Sequence, residues 1–242
     1  MPYDLAVVAG AALFGAAAGA LLPGVLARLP EPALDPVDPA GAAAPAKVPY
    51  AALARTPRLG VGCAAAAAAA CAVVAWRLGW SAALPAWLYL AVVGVLLAWI
   101  DARTRLLPTR IVGPSYLVVG ALLLVASAVE GDWHALVRAG LGWAIAGGSF
   151  LLLWVIHPRG MGYGDVRLAG ILGMALGWLG WAEFGVGMYA GFLLGGVIGV
   201  VLGLLHLVDR RRYPFGPFML AGALVGLVWG PAIVDWYAGA RR

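Results

Sequence analysis

Long apolar runs separated by short polar turns repeat along the whole chain. An α-helix needs about 20 apolar residues to cross the bilayer hydrocarbon. Eight runs approach that length, near residues 5–25, 59–77, 82–100, 111–129, 137–156, 166–182, 186–208 and 216–236. The third and sixth are the shortest; one ends at an aspartate and the other follows one. Most polar connections are brief. The exception is residues 29–57, which hold seven prolines including Pro30, Pro32, Pro36 and Pro39 and read as an extended or disordered loop. The expected fold is all-α, a polytopic membrane protein of about eight transmembrane helices. Residues 1–58 would be a first span and a Pro/Ala-rich loop, and residues 59–242 a transmembrane core.

Composition agrees with that class. Hydrophobic residues make up 64% of the chain and charged residues 11%, with mean hydropathy +0.94. Soluble domains carry about 25% charged residues. Thirty-five glycines fit closely packed membrane helices, where small residues let backbones approach. The flank Met1-Pro2-Tyr3-Asp4 has no positive charge and the first basic residue is Arg28, the reverse of a secretory signal. The first run is therefore expected to be a retained span with its N-terminus outside.

Topology follows from the basic residues. Arg28, Lys47, Arg55, Arg58, Arg103, Arg105, Arg110, Arg159, Arg167, Arg210, Arg211 and Arg212 fall on one side. Only Arg77, Arg138, Arg241 and Arg242 fall on the other. The positive-inside rule makes the first side cytoplasmic. It also explains the net charge of +5 without any nucleic-acid partner. Anionic lipid headgroups are the natural partners of Arg210, Arg211 and Arg212.

The candidate chemistry lies in two aspartates, Asp101 and Asp165, at the ends of apolar runs on that same side. A carboxylate beside hydrocarbon is costly and so is a functional candidate by default. Two carboxyls held close do not both ionise readily. One ionised group can take a proton from water while its neutral partner donates to a carbonyl oxygen, which is the chemistry of peptide hydrolysis. Gly162 and Gly164 beside Asp165 permit unusual backbone angles and close approach of another chain, such as a substrate backbone. Asp165 starts a helix, whose positive end suits a carboxylate, and Asp101 ends one. On that contrast Asp165 is expected to be the base and Asp101 the protonated partner. A helix cap for Asp165, and pairing of Asp101 with Arg103 and Arg105 in a solvated loop, are the structural alternatives.

Three motifs extend the argument. They are Asp101-Ala102-Arg103-Thr104-Arg105-Leu106-Leu107-Pro108, Gly160-Met161-Gly162-Tyr163-Gly164-Asp165-Val166-Arg167-Leu168, and Tyr213-Pro214-Phe215-Gly216-Pro217-Phe218. Together they resemble the type IV prepilin peptidase family, membrane aspartyl proteases of the GxGD kind, with Arg167 where that family usually has lysine. A weaker likeness runs from Gly15 to Arg28-Leu29-Pro30. The resemblance implies catalytic Asp101 and Asp165, and prepilin or pseudopilin substrates cut after the glycine of a short basic leader. It implies cleavage at the cytoplasmic face of the inner membrane, in type IV pilus or type II secretion systems. Substrates of that family usually carry a glutamate at the fifth mature position, which Arg167 is placed to receive; a positive-inside anchor is the plainer role for Arg167. The third motif is expected to shape the entry to the last span without a direct chemical role.

Bifunctional family members insert a cytoplasmic domain with four cysteines, linked to N-methylation, where this chain has the cysteine-free stretch 31–50. The methyltransferase activity is therefore not carried across, and no metal or other cofactor is implied. Cys63 and Cys71, about 12 Å apart along one helix, are too far apart for a disulfide and read as small apolar core residues. Gly187, Gly191, Gly195, Gly199 and Gly203 form a stripe suited to helix packing within the chain or, less simply, to a homo-oligomer. Competing functions are a preflagellin-type peptidase, a transporter or proton relay using the two aspartates, and a structural assembly partner. A transporter would show polar residues along several spans and an inverted repeat, neither of which is evident.

Overall fold

The computed structural model describes residues 4–31, 48–158, 161–204 and 214–240, with side chains in the seventh apolar run described as far as residue 198. Every regular element among these residues is an α-helix. They are α1 Leu5–Ala27, α2 Tyr50–Ala54, α3 Leu59–Leu78, α4 Leu84–Thr104, α5 Thr109–Glu130, α6 Trp133–Ile156, α7 Tyr163–Leu179, α8 Trp181–Leu204 and α9 Gly216–Gly239. Helices satisfy every backbone group internally, as hydrocarbon requires. The protein is an all-α, polytopic membrane protein.

Seven helices, all but α2 and α7, are long and apolar enough to cross a membrane. The sixth expected span is the odd one. Its helix α7 has 17 residues, about 26 Å, and most of them are buried. It runs the length of the bundle nonetheless. Its first turn meets Leu107 in the α4–α5 turn, and Trp178 in its last turn donates to Ser127 of α5 at 2.8 Å. A helix wrapped by other helices has little lipid to match, so it is free to be short.

Three helix pairs pack most closely, α1 with α3, α6 with α7, and α8 with α9. Each is an antiparallel seam of small residues. A Cβ built on Gly142 would lie 2.3 Å from the Gly173 carbonyl oxygen, and one on Gly173 2.4 Å from that of Gly142. Gly187 and Gly191 meet Gly222 and Gly226 in the same way across α8 and α9. The stripe on α8 is thus used inside the chain, and Gly195 makes room for the ring of Phe215. The surroundings of Gly199 and Gly203 lie outside those described, as do Lys47, Arg159, Arg210 to Arg212, Tyr213, Arg241 and Arg242 and most of the proline-rich loop. Cys63 and Cys71 are buried free thiols in the α1–α3 seam, as their spacing suggested.

Candidate active site

Asp101 was expected where its helix ends. It lies within the last turn of α4, whose Arg105 N–H donates to the Asp101 carbonyl at 2.8 Å. Arg105 then turns left-handed, φ 56°, and ends the helix three residues before Pro108. Proline both lacks an N–H and pushes the preceding residue out of helical geometry. The extra turn carries the Asp101 side chain back into the bundle, where it is 4% exposed.

Asp165 is 8% exposed and is the third residue of α7, not its N-cap. Its carboxylate reaches back to accept the N–H of Gly162 at 3.2 Å, while its own N–H donates to the Gly162 carbonyl at 3.0 Å. Gly162 has φ −74° and ψ 141°, ordinary extended backbone, so the freedom of glycine is not used there. Gly164 is different. A Cβ on it would fall 2.8 Å from the Cβ of Leu107 in the turn following Asp101. The close approach that Gly164 permits is to the protein's own chain.

The third motif meets Asp101 directly. The Gly216 N–H donates to Asp101 Oδ2 at 2.9 Å, in a buried contact between residues 115 apart in sequence. Gly216 begins α9, where the first N–H groups have no partner within the helix and Pro217 has no N–H at all. Asp101 therefore meets the positive end of α9 although it sits at the negative end of α4. The dipole contrast expected between the two aspartates is offset by this contact. A Cβ on Gly216 would lie 2.9 Å from Asp101 Oδ2, so no larger residue fits without displacing the carboxylate. Phe215, just before it, packs on Phe150 and Phe192 with ring centroids 6.2 and 5.4 Å away. Those rings set where α9 begins.

The ends of α4, α7 and α9 thus gather at Asp101 and Asp165, with Leu107 of the turn after Asp101 lying against Gly164 beside Asp165 and Gly216 on the Asp101 carboxylate. Arg167 is not part of that cluster. Two residues along a helix turn the side chain by about 200°, so Arg167 projects from the far face of α7 from Asp165. Its guanidinium donates to Thr109 Oγ1 and stacks 4.6 Å over the Tyr163 ring. The Tyr116 hydroxyl donates to its carbonyl at 2.6 Å. These contacts tie α7 to α5. Sequence reasoning missed the donor role of Gly216, although the motif containing it was visible; a backbone N–H leaves no mark in side-chain chemistry. Among the described residues no three His, Cys, Asp or Glu side chains gather as a metal-holding group.

Residues 88–204, which include both aspartates, match the family model for the type IV leader peptidase family. The likeness to this family covers just under half of the chain. It is 34% identical over 152 residues to the prepilin leader peptidase/N-methyltransferase of Aeromonas salmonicida strain A449, covering 59% of this chain and 48% of that protein. Identity to the protein of the same name from Stutzerimonas stutzeri is 32% over 177 residues, 70% of this chain and 58% of the relative. With the Pseudomonas aeruginosa protein of that name it is 30% over 168 residues, 68% and 56% of the two chains. The chain thus spans about half the length of the curated relatives it matches. No solved structure matches it significantly.

Proposed function

We propose that this protein is a membrane-embedded aspartic endopeptidase that removes the short basic leader of prepilin or pseudopilin-like proteins, cutting after a glycine at the cytoplasmic face of the inner membrane. The observation that carries the reading is the pair of buried carboxyls, Asp101 and Asp165, drawn from separate helices to one end of the bundle. The names and identity of the relatives support the substrate class, and the excess of arginine at the Asp101 and Asp165 end supports the cytoplasmic face.

In this reading the two carboxyls hold one proton between them. The ionised member takes a proton from a water molecule as that water attacks the scissile carbonyl carbon. The protonated member gives its proton to the carbonyl oxygen, producing a neutral tetrahedral gem-diol. Its collapse breaks the C–N bond as the first carboxyl protonates the leaving amine and the second recovers a proton from the gem-diol hydroxyl. Gly162, exposed beside Asp165, leaves space for the substrate backbone to approach. Gly164 and Gly216 keep the surrounding turns in place. Arg167 braces α7 on α5 in this arrangement and is not required as the acceptor of a substrate glutamate. Methyl transfer lies outside the proposal, because residues 31–50 hold no cysteine.

The test is cleavage of a prepilin-type substrate in membranes by wild type, Asp101→Asn and Asp165→Asn. Proton-transfer groups of this kind contribute about 10²–10⁴-fold each, so both variants should accumulate uncut substrate while remaining inserted and folded. Normal cleavage by either variant would refute the two-carboxyl mechanism. A proton-coupled transporter would instead show substrate uncut by wild type and ion flux sensitive to both aspartates.

A further inference from the structure

Gly187 and Gly191 of the α8 stripe receive the backbone of α9, but Gly195 receives a ring. A Cβ on Gly195 would lie 2.4 Å from Phe215 Cε2 and 2.8 Å from Cδ2, so the ring edge fills the space of the missing side chain. Two further rings close around it. Phe192, three residues before Gly195 on α8, meets Phe215 edge-on at 5.4 Å, and Phe150 of α6 lies 6.2 Å away. Phe150 and Phe192 also pack edge-on with one another at 5.4 Å. Edge-to-face rings fix each other's orientation. Phe215 is therefore clamped from α6 and α8, while its backbone opens α9.

That backbone explains why the clamp matters. The Phe215 carbonyl accepts the N–H of Phe218 at 3.1 Å and of Met219 at 3.2 Å, which starts the hydrogen bonding of α9. A peptide unit is planar and trans, so the N–H of the same unit points the opposite way. That N–H belongs to Gly216, and it meets Asp101 Oδ2 at 2.9 Å. One rigid plane thus has its carbonyl in α9, its donor on Asp101 and its first Cα on an anchored ring. With Oδ2 engaged, Oδ1 is the oxygen of Asp101 left to exchange protons.

We propose that Phe215 is a positioning residue of the peptidase and that Gly195 is its socket. The ring seated on Gly195 holds the Phe215–Gly216 peptide plane, which keeps Asp101 Oδ2 on the donor and leaves Oδ1 to the reaction. Neither residue touches substrate in this role. The proposal rests on the two-carboxyl reading of the site.

The first readout needs no activity. Full-length protein in detergent, labelled with carbonyl-13C phenylalanine and 15N glycine, gives amide signals from three Phe-Gly pairs, Phe14–Gly15, Phe184–Gly185 and Phe215–Gly216. Gly216→Ala identifies the third by removing it. Asp101→Asn weakens the charge-assisted bond and should move the Gly216 signal upfield. Phe215→Ala and Gly195→Ala should move it in the same direction. Gly19→Ala, whose methyl would meet the Cys63 carbonyl oxygen at 2.5 Å in the α1–α3 seam, strains the fold elsewhere and should leave it in place. In leader cleavage, Phe215→Ala and Gly195→Ala should each lower kcat about tenfold with KM unchanged, less than the full effect of a 1 Å displacement. Adding Phe215→Leu to Gly195→Ala should recover most of that loss, because the smaller side chain leaves room for the methyl group. Should Phe215→Ala fail to insert, Gly195→Ala and its rescue carry the test. A Gly216 signal unmoved by both variants would overturn the proposal, and so would a moved signal with wild-type kcat. Substrate left uncut by wild type, with the same moved signals, would count against the peptidase reading and uphold the seat of Asp101 on this peptide plane.

Discussion

Asp101 and Asp165 are both buried carboxyls accepting a glycine N–H, but they are held in different ways. Asp165 is held by its own neighbourhood, since Gly162 lies three residues before it and the contact forms with the first turn of α7. Asp101 is held by Gly216, across 115 residues and a separate helix. A local contact survives wherever α7 forms. A remote one depends on α9 docking on α4, which in turn depends on the Phe150, Phe192 and Phe215 rings and on the glycine seam between α8 and α9. Half of the proposed machinery is therefore preorganised by secondary structure, and half only by the assembled bundle.

Among the residues around the two carboxyls, crowding the remote contact at Gly216 should have the largest effect. Gly216→Ala puts a methyl group against Asp101 Oδ2, and displacement of a reacting group by about 1 Å costs on the order of 10²-fold. Leader cleavage should fall by about that factor, with the helix content unchanged by circular dichroism. Wild-type rates would show that the Gly216 contact does not matter for the reaction.

Gly164→Ala comes next, because its methyl would overlap Leu107 in the turn after Asp101. Overpacking of this kind costs about 1–3 kcal/mol and should lower both Tm and cleavage. Leu107→Ala should restore both in the double variant. A double variant no better than Gly164→Ala alone would exclude the steric account.

Gly162→Ala separates substrate contact from fold. Its backbone angles suit any residue and the nearest atom to the added methyl is Asp165 Oδ2 at 3.4 Å. Tm should stay the same while KM rises severalfold, since losing one modest contact is worth about 1 kcal/mol. An unchanged KM would remove Gly162 from the substrate path.

The smallest effect is expected at Arg167. With its guanidinium on Thr109 and Tyr163, Arg167→Ala should change cleavage by less than about threefold and trim stability by no more than about 1 kcal/mol, as for other exposed polar contacts. A large loss of cleavage, recovered by a substrate whose acidic residue is exchanged for a basic one and a matching Arg167→Glu, would restore Arg167 to substrate binding.

Much of this protein was legible in its residues. Continuous apolar runs require helices because hydrocarbon offers no partner for a free N–H, so α1, α3 to α6, α8 and α9 followed from length and composition. Asp101 and Asp165 stood out because charge is scarce in such a chain. What depended on assembly was finer. The short α7 lies at the centre, Asp101 sits inside α4, and the α8 stripe faces α9, none of which hydropathy encodes, since lipid and protein neighbours are equally apolar. The seat of Asp101 on Gly216 was hidden for another reason. Every residue except proline has a backbone N–H, and only the packing of α9 against α4 decides which of them is left to meet a carboxylate.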